Sequence, residues 1–299
     1  MKDSGCIKIF LLVCFFFSTI NQIQSKELTE LKAPSPKKVP FIMEAHGIER
    51  VDNYYWMRDD SRKSKKVLNH LKRENEYLED WFTSGQDLRK KLFKEITDRI
   101  PKKEDSVPIR MGAYEYFRRY KPNKEHPIYI RRTNKNTPEQ VLLDVNELAI
   151  NSDFYQLANW SIAPTEQELA YAEDITGRRE YSIKFKDLLS GKVSAQVIKY
   201  TSGDMAWSSD SAYFFYVRRD PETLLPFQVY RHSMGSKQSE DVLIYEEHDP
   251  TFHVSVGNSR SMEFIEIDIS STNSSETLLI RSSNPLEKPS VFFPRTLNH

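Results

Sequence analysis

Ala206-Trp207-Ser208-Ser209-Asp210, followed by Tyr213 and Phe215, is the stretch whose reading decides the fold. An apolar pair runs into a small polar turn, and an apolar alternation starts directly after it. The pattern predicts an inner strand ending near Trp207, a turn capped by a Ser and an Asp, and a second strand starting near Tyr213. It recurs. Ile162-Ala163-Pro164-Thr165-Glu166 with Leu169 and Tyr171 lies 44 residues upstream, counting Ile162 against Ala206. Val256-Gly257-Asn258-Ser259 with Met262 and Phe264 is a weaker copy 49 residues downstream, counting Met262 against Tyr213. A second landmark spans two periods. Tyr116-Phe117-Arg118-Arg119, then Pro122, Pro127 and the run Ile128 to Arg131, is matched about 100 residues later. There stand Tyr216-Val217-Arg218-Arg219, then Pro221, Pro226 and the run Phe227 to Arg231.

A period of ~45–50 residues with about four strands per unit predicts a β-propeller. Strands are expected at 113–120, 127–131, 169–172, 181–185, 213–217, 227–231, 262–269 and 277–280. The units fall roughly at 105–150, 151–200, 201–248 and 249–295, the first without a clear copy of the turn. Tandem immunoglobulin-like domains are the rival β architecture. Their period of about 90–100 residues and their usual Cys pairs do not fit this chain. The 15 Tyr and 17 Phe also favour pleated, half-buried surfaces.

Lys and Arg total 43, as do Asp and Glu. A zero balance gives no electrostatic reason to expect nucleic acid or an anionic membrane as partner. Residues 1–25 differ from the rest. Lys2 and Lys8 precede an apolar run from Ile9 to Phe17, the length of a signal-peptide core and short of the ~20 residues that span a bilayer. Ser25 is the expected last residue before cleavage, and the chain is expected to be exported, with an uncleaved anchor or a buried N-terminal element as alternatives. Both cysteines, Cys6 and Cys14, lie in this segment. The mature chain therefore has no disulfide, thiolate nucleophile or Cys-based zinc site.

Residues 26–104 read as an arm followed by two helices. Pro34, Pro36 and Pro40 make 26–62 extended. Tyr54-Tyr55-Trp56 read as a local aromatic cluster or as rings buried on another domain. A helix is expected over 63–83, with Val67, Leu71, Leu78, Trp81 and Phe82 near one face. Ser84 is expected to start a second, with Asp87 completing a weak capping box and Leu88, Leu92, Ile96 and Ile100 on its stripe until Pro101. Both stripes are expected to be packing faces. Residues 105–299 are assigned to the propeller.

Arm and repeats together resemble a known family. Lys37-Lys38-Val39-Pro40, Glu44-Ala45-His46-Gly47 and Asp52-Asn53-Tyr54-Tyr55-Trp56-Met57-Arg58-Asp59-Asp60 are similar to the N-terminal signature of oligopeptidase B, in the prolyl oligopeptidase family of serine peptidases. Glu95-Ile96-Thr97-Asp98-Arg99-Ile100-Pro101 and Val291-Phe292-Phe293-Pro294-Arg295 extend the resemblance over nearly the whole mature chain. It implies a mainly β chain: about four of seven propeller blades, preceded by an arm and two helices that wrap an α/β-hydrolase domain absent here. It also implies cleavage of short peptides after Lys or Arg, with the propeller limiting substrate size and the Ser, Asp and His triad lying beyond residue 299.

No catalytic residue, substrate-binding residue or metal ligand is assigned from the sequence, and no cofactor is expected. Gly-x-Ser-x-Gly is missing; Gly257-Asn258-Ser259-Arg260-Ser261 lacks the second Gly that the strained nucleophile elbow needs. The seven His are scattered, and His248 and His253 are too isolated for a metal site. Asp59-Asp60 and Glu246-Glu247 read as solvated or capping acids. Arg118-Arg119, Arg131-Arg132, Arg178-Arg179 and Arg218-Arg219 are expected to bridge to acids on neighbouring blades, or else to line the tunnel or a domain interface. Expected partners are short basic peptides and the missing catalytic domain. A non-catalytic secreted propeller that binds peptides or proteins, and an inactive truncated product, are the competing readings.

Overall fold

The computed structural model describes residues 32–101 and 104–296. The segment read as an export signal, 1–25, lies outside the described residues. Among the described residues no helix is long and apolar enough to cross a membrane. The chain divides into two compact units after Ile100.

In the first unit, β1 (Phe41–Ala45) and β2 (Ile48–Asp52) form a hairpin that the reading of a wholly extended arm missed. His46 and Gly47 make its two-residue turn with φ of 54° and 74°, the left-handed geometry that such a turn requires. The aromatic block is satisfied locally. Tyr55 stacks on Phe41 with ring centroids 4.0 Å apart, and the Trp56 indole N–H donates to the Lys37 carbonyl at 2.8 Å. Lys66 sits 3.9 Å over the Trp56 ring. Asp59 accepts from the Ser61 hydroxyl and the Ser64 amide, and these bonds hold its carboxyl below the usual range. Asp59 thus secures the start of α1 (Lys65–Phe82), while Asp60 pairs with Arg58. α2 (Gln86–Asp98) follows a 3-10 turn, Thr83–Gly85. Ser84 lies inside that turn, so the expected side-chain cap does not form; Gly85 holds the cap position.

The second unit is an arc of four antiparallel blades. The first contains β3 (Glu104–Asp105), β4 (Ile109–Met111), β5 (Tyr114–Tyr120), β6 (Ile128–Arg132) and β7 (Gln140–Asp144), then a short helix α3 (Val145–Ala149). β3 and β4 are one inner strand broken around Pro108, which has no N–H for the ladder. The second and third blades share one seven-stranded sheet. It comprises β8 (Gln156–Ile162), β9 (Glu168–Asp174), β10 (Tyr181–Asp187), β11 (Val193–Trp207), β12 (Tyr213–Arg219), β13 (Pro226–Ser233) and β14 (Val242–Glu246). β11 serves both blades: outer strand of the second, then inner strand of the third. It bends between, where Tyr200 and Gly203 have φ of 61° and 92° and the ladder to both neighbours shifts register. The fourth blade is β15 (His253–Asn258), β16 (Phe264–Ser270), β17 (Ser275–Arg281) and β18 (Ser290–Phe293).

The repeated turn is as read, but its register differs. Ala163, Ser208 and Ser259 are structural equivalents: each amide donates to the carbonyl five residues on, at 2.9, 2.9 and 2.8 Å. Glu166, Ser211 and Met262 each take φ near 60° three residues further along. The spacings are therefore 45 and 51 residues, and Leu169 matches Phe214 rather than Tyr213. The slip has a physical reason. Phe214 to Val217 are all buried, so no polar phase fixes which residues share a face. Ser208 and Asp210 cap the turn as expected, the hydroxyl donating at 2.5 Å and holding the Asp210 carboxyl low. The first blade replaces the turn with a tight Gly112-Ala113 connection, which explains the missing copy.

Blades stack through apolar seams. Tyr116, Leu142, Leu169 and Tyr171 fill the first seam; Phe185, Ile198, Trp207 and Phe214 the second; Phe215, Val229, Val254 and Ile267 the third. Trp207 and Phe214 meet edge-on at 4.8 Å, and each such ring contributes about 2–3 kcal/mol by burial.

The arginines depart from expectation. Arg119 binds Asp105 and Glu139, and Arg132 binds Glu115 and Glu139, all within the first blade. Arg178 pairs with nearby Glu180, and Arg218 lies over the Tyr230 ring. Those that cross a seam, Arg131 and Arg219, grip the carbonyls of Glu166 and Arg179 at 2.8 and 2.7 Å. A backbone carbonyl at a strand end is a fixed acceptor, whereas an acid there would itself have to be ordered. Glu247 is likewise no solvated acid. It is buried, and it binds Arg295, the Tyr245 hydroxyl and the Asp249 amide.

Two outcomes test this packing. Asn258 receives the Trp207 amide at 2.9 Å and donates to the Trp207 carbonyl at 2.8 Å across the third seam. Asn258→Ala strands both backbone groups and should cost about 2–4 kcal/mol in urea denaturation. Burial pulls the Glu247 carboxyl up, but its bonds to Arg295, the Asp249 amide and Tyr245 outweigh this and hold it below the usual range. A lowered carboxylate contributes stability above its unfolded value of ~4.3, lost as pH falls further. Arg295→Met should lower the urea midpoint at neutral pH and shrink the loss between neutrality and about pH 3.

Candidate functional site

The helices of the first unit present more apolar surface than their own unit covers. On α1, Leu68, Leu71, Leu78 and Trp81 are 48 to 51% exposed. On α2, Leu88, Leu92, Phe93 and Ile96 are exposed too, Phe93 at 71%. The expected stripes are present, but these residues have no core of their own to enter. The adjoining flank of α1 does: His70 is buried against the arm, its ring 6.2 Å from Trp56, with Val67 and Tyr77 half-buried beside it. Among the aromatic residues of the arm and α1, Tyr54 and Trp81 are exposed, while Tyr55, Trp56 and Phe82 are half-buried. Large exposed apolar side chains in such number are uncommon on a monomeric soluble protein.

In the arc, the polar clusters serve packing. Ser259, at the centre of the near-miss to a nucleophile motif, sits in the turn between β15 and β16. Its hydroxyl accepts from the Phe264 amide at 3.1 Å and meets the Ser261 hydroxyl at 3.2 Å. That is a turn cap, not an exposed elbow. Among the described residues no Ser hydroxyl meets a His ring within hydrogen-bond distance. One His–Asp hydrogen bond does occur. His232 Nδ1 lies 2.5 Å from Asp241 Oδ1, both side chains buried, and the other ring nitrogen faces Gln196 instead of a nucleophile. In the sequence His232 carries no mark beyond its place after Arg231. Burial raises the Glu168 carboxyl, with Asp187 adding to it, and burial lowers the Lys186 ammonium, which donates to the Leu142 carbonyl across the first seam. Among the described residues no three His, Cys, Asp or Glu come together to hold a metal ion, and His248 and His253 are both exposed.

Comparison with known proteins accounts for the helical unit and the arc of blades. Residues 33–299 match the prolyl oligopeptidase, N-terminal beta-propeller domain family. The chain is 37% identical over 278 residues to dipeptidyl aminopeptidase BI of Pseudoxanthomonas mexicana, covering 87% of this chain and 38% of that protein. It is 34% identical to protease 2 of Moraxella lacunata, covering 86% and 38%. Oligopeptidase B from Leishmania major superposes with a TM-score of 0.84 at 29% identity, over 89% of this chain and 40% of that one. The chain thus spans well under half the length of the relatives it matches. Arm, helices and four-bladed arc together place it: the chain belongs to the prolyl oligopeptidase family, as an oligopeptidase B-like N-terminal propeller portion.

Proposed function

We propose that this chain supplies the arm and part of the gating propeller of an exported, oligopeptidase B-like serine peptidase that hydrolyses short peptides after Lys or Arg. The observation that carries the reading is the uncovered apolar face of α1 and α2, on a unit whose sequence carries the arm signature of that group. An α/β-hydrolase domain is the partner that covers it. Oligopeptidase B from Trypanosoma brucei, similar to this chain at a TM-score of 0.81, has been solved with covalently bound antipain. In this reading the hydrolase domain supplies the nucleophile, its His base and the amides that hold the oxyanion. The arc limits which substrates reach them. Lys2, Lys8 and the apolar run Ile9 to Phe17 support export.

The purified 299-residue chain should not turn over a reporter peptide ending in Lys or Arg. Turnover that a serine-directed inhibitor abolishes would show that the chain is active by itself. The reading frame beyond codon 299 should encode Gly-x-Ser-x-Gly and then Asp and His. A continuing frame without them would overturn the peptidase assignment.

A further inference from the structure

The seam between the second and third blades contains a buried polar chain that the proposed peptidase function does not use. It starts at Gln196 on the outer part of β11 and ends at Tyr216 on β12. Gln196 Nε2 lies 2.8 Å from the Ser236 carbonyl and 2.5 Å from His232 Nε2. His232 Nδ1 faces Asp241 Oδ1 at 2.5 Å, and the Tyr216 hydroxyl donates to Asp241 Oδ2 at 2.8 Å. Gln238 closes the cluster against β11, accepting from the Lys199 amide at 3.1 Å and donating to the Lys199 carbonyl at 3.0 Å. Phe185 of β10 stacks on the imidazole. The His232 and Asp241 side chains are 0% and 1% exposed.

Donor and acceptor counting assigns the protons. The Ser236 carbonyl only accepts, so the Gln196 atom facing it must be the amide nitrogen. That same nitrogen faces His232 Nε2, which must then present its lone pair. The ring proton therefore sits on Nδ1 and is donated to Asp241. Burial, then the bond to Asp241, pushes the Tyr216 phenol up, so it keeps the proton that it donates. The arrangement satisfies every group with His232 neutral and Asp241 ionised.

We propose that His232 is an acid-sensitive latch between the second and third blades. A proton added at Nε2 turns an acceptor into a donor facing another donor, in a site closed to water. Gln196 can relieve that clash only by leaving the Ser236 carbonyl or by turning its oxygen toward it, and either loss loosens the seam. Asp241 is the one charged side chain hydrogen-bonded to the ring. The elements packed around it contribute Phe185, Gln196 and the neutral Tyr216. Lys199, Lys237 and Glu240 on the adjoining segments are exposed, and Arg218 on β12 lies over Tyr230. The low carboxylates elsewhere in the arc, such as Asp174, Asp210 and Asp220, stay ionised through the range where imidazoles take up a proton.

The test uses the full 299-residue chain. Nitrogen-15 NMR of the His232 ring should show the neutral Nδ1–H tautomer at about pH 7.5 and a proton added at Nε2 on acidification. Over the same change, hydrogen exchange of segments 196–200 and 233–241, corrected for intrinsic rates, should rise about tenfold relative to β16. Gln196→Glu places a carboxylate against Nε2 and should reverse the direction, with exchange falling on acidification. A ring already doubly protonated at neutral pH would overturn the latch. So would segments that track β16, or a Gln196→Glu variant that responds as the wild type does. The wild-type measurements decide the matter if that variant does not fold.

Discussion

Asn258 and Trp207 form the contact that explains how the arc holds together. A side-chain amide on the inner strand of the fourth blade pairs with both backbone groups of a residue on the inner strand of the third. Stacked sheets have no ladder between them, so the backbone groups at the inner strand ends would be stranded in an apolar seam. The chain solves this at each seam with a side chain that reaches across to backbone. Arg131 reaches the Glu166 carbonyl across the first seam. Asn159 reaches the Gly203 carbonyl across the second, and Arg231 reaches the Pro285 carbonyl across the third. Apolar burial supplies most of the energy. These directional bonds fix how one blade is set against the next, because a slip by one residue would break them outright.

The two kinds of uncovered surface differ in chemistry. The first blade's outward cluster of Phe117, Ile128 and Ile130 is roofed by Arg119 and Arg132, whose guanidiniums lie 5.5 and 4.8 Å from the Phe117 ring and pair with Asp105, Glu115 and Glu139. Charged groups with partners can face water at little cost. On the helices Arg89 lies 4.7 Å over the Phe82 ring, while Leu88, Phe93 and Ile96 stand open. The first blade's outer face thus carries paired charge, whereas the helical face is apolar.

Seen through its hydrogen bonds, the His232 cluster belongs to the same scheme as the Asn258 contact. Both cross a seam by an amide that donates to a carbonyl. The difference is that one partner of Gln196 is an imidazole nitrogen, which in the proposal ties this seam to the proton concentration.

Much was legible beforehand because it is periodic. The turn at Ser208, the Tyr-Phe-Arg-Arg echo at 116 and 216, and the two helices follow from residue types repeating at the spacing of their elements. The local fate of Asp59 and the Ser208–Asp210 pair followed from short-range capping. What stayed hidden depends on partners far along the chain. The register between copies was invisible because strands buried on both faces carry no polar phase, and the shared strand β11 because Tyr200 and Gly203 turn it from one blade to the next within one continuous run. Glu247 read as a solvated or capping acid; it does cap the Asp249 amide, but its pairing with Arg295, 48 residues on, was not visible. Sequence by itself determined the repeat and the family signature. Tertiary structure decided which polar side chains became buried, since burial is set by what the opposite blade presents and not by a residue's own neighbours.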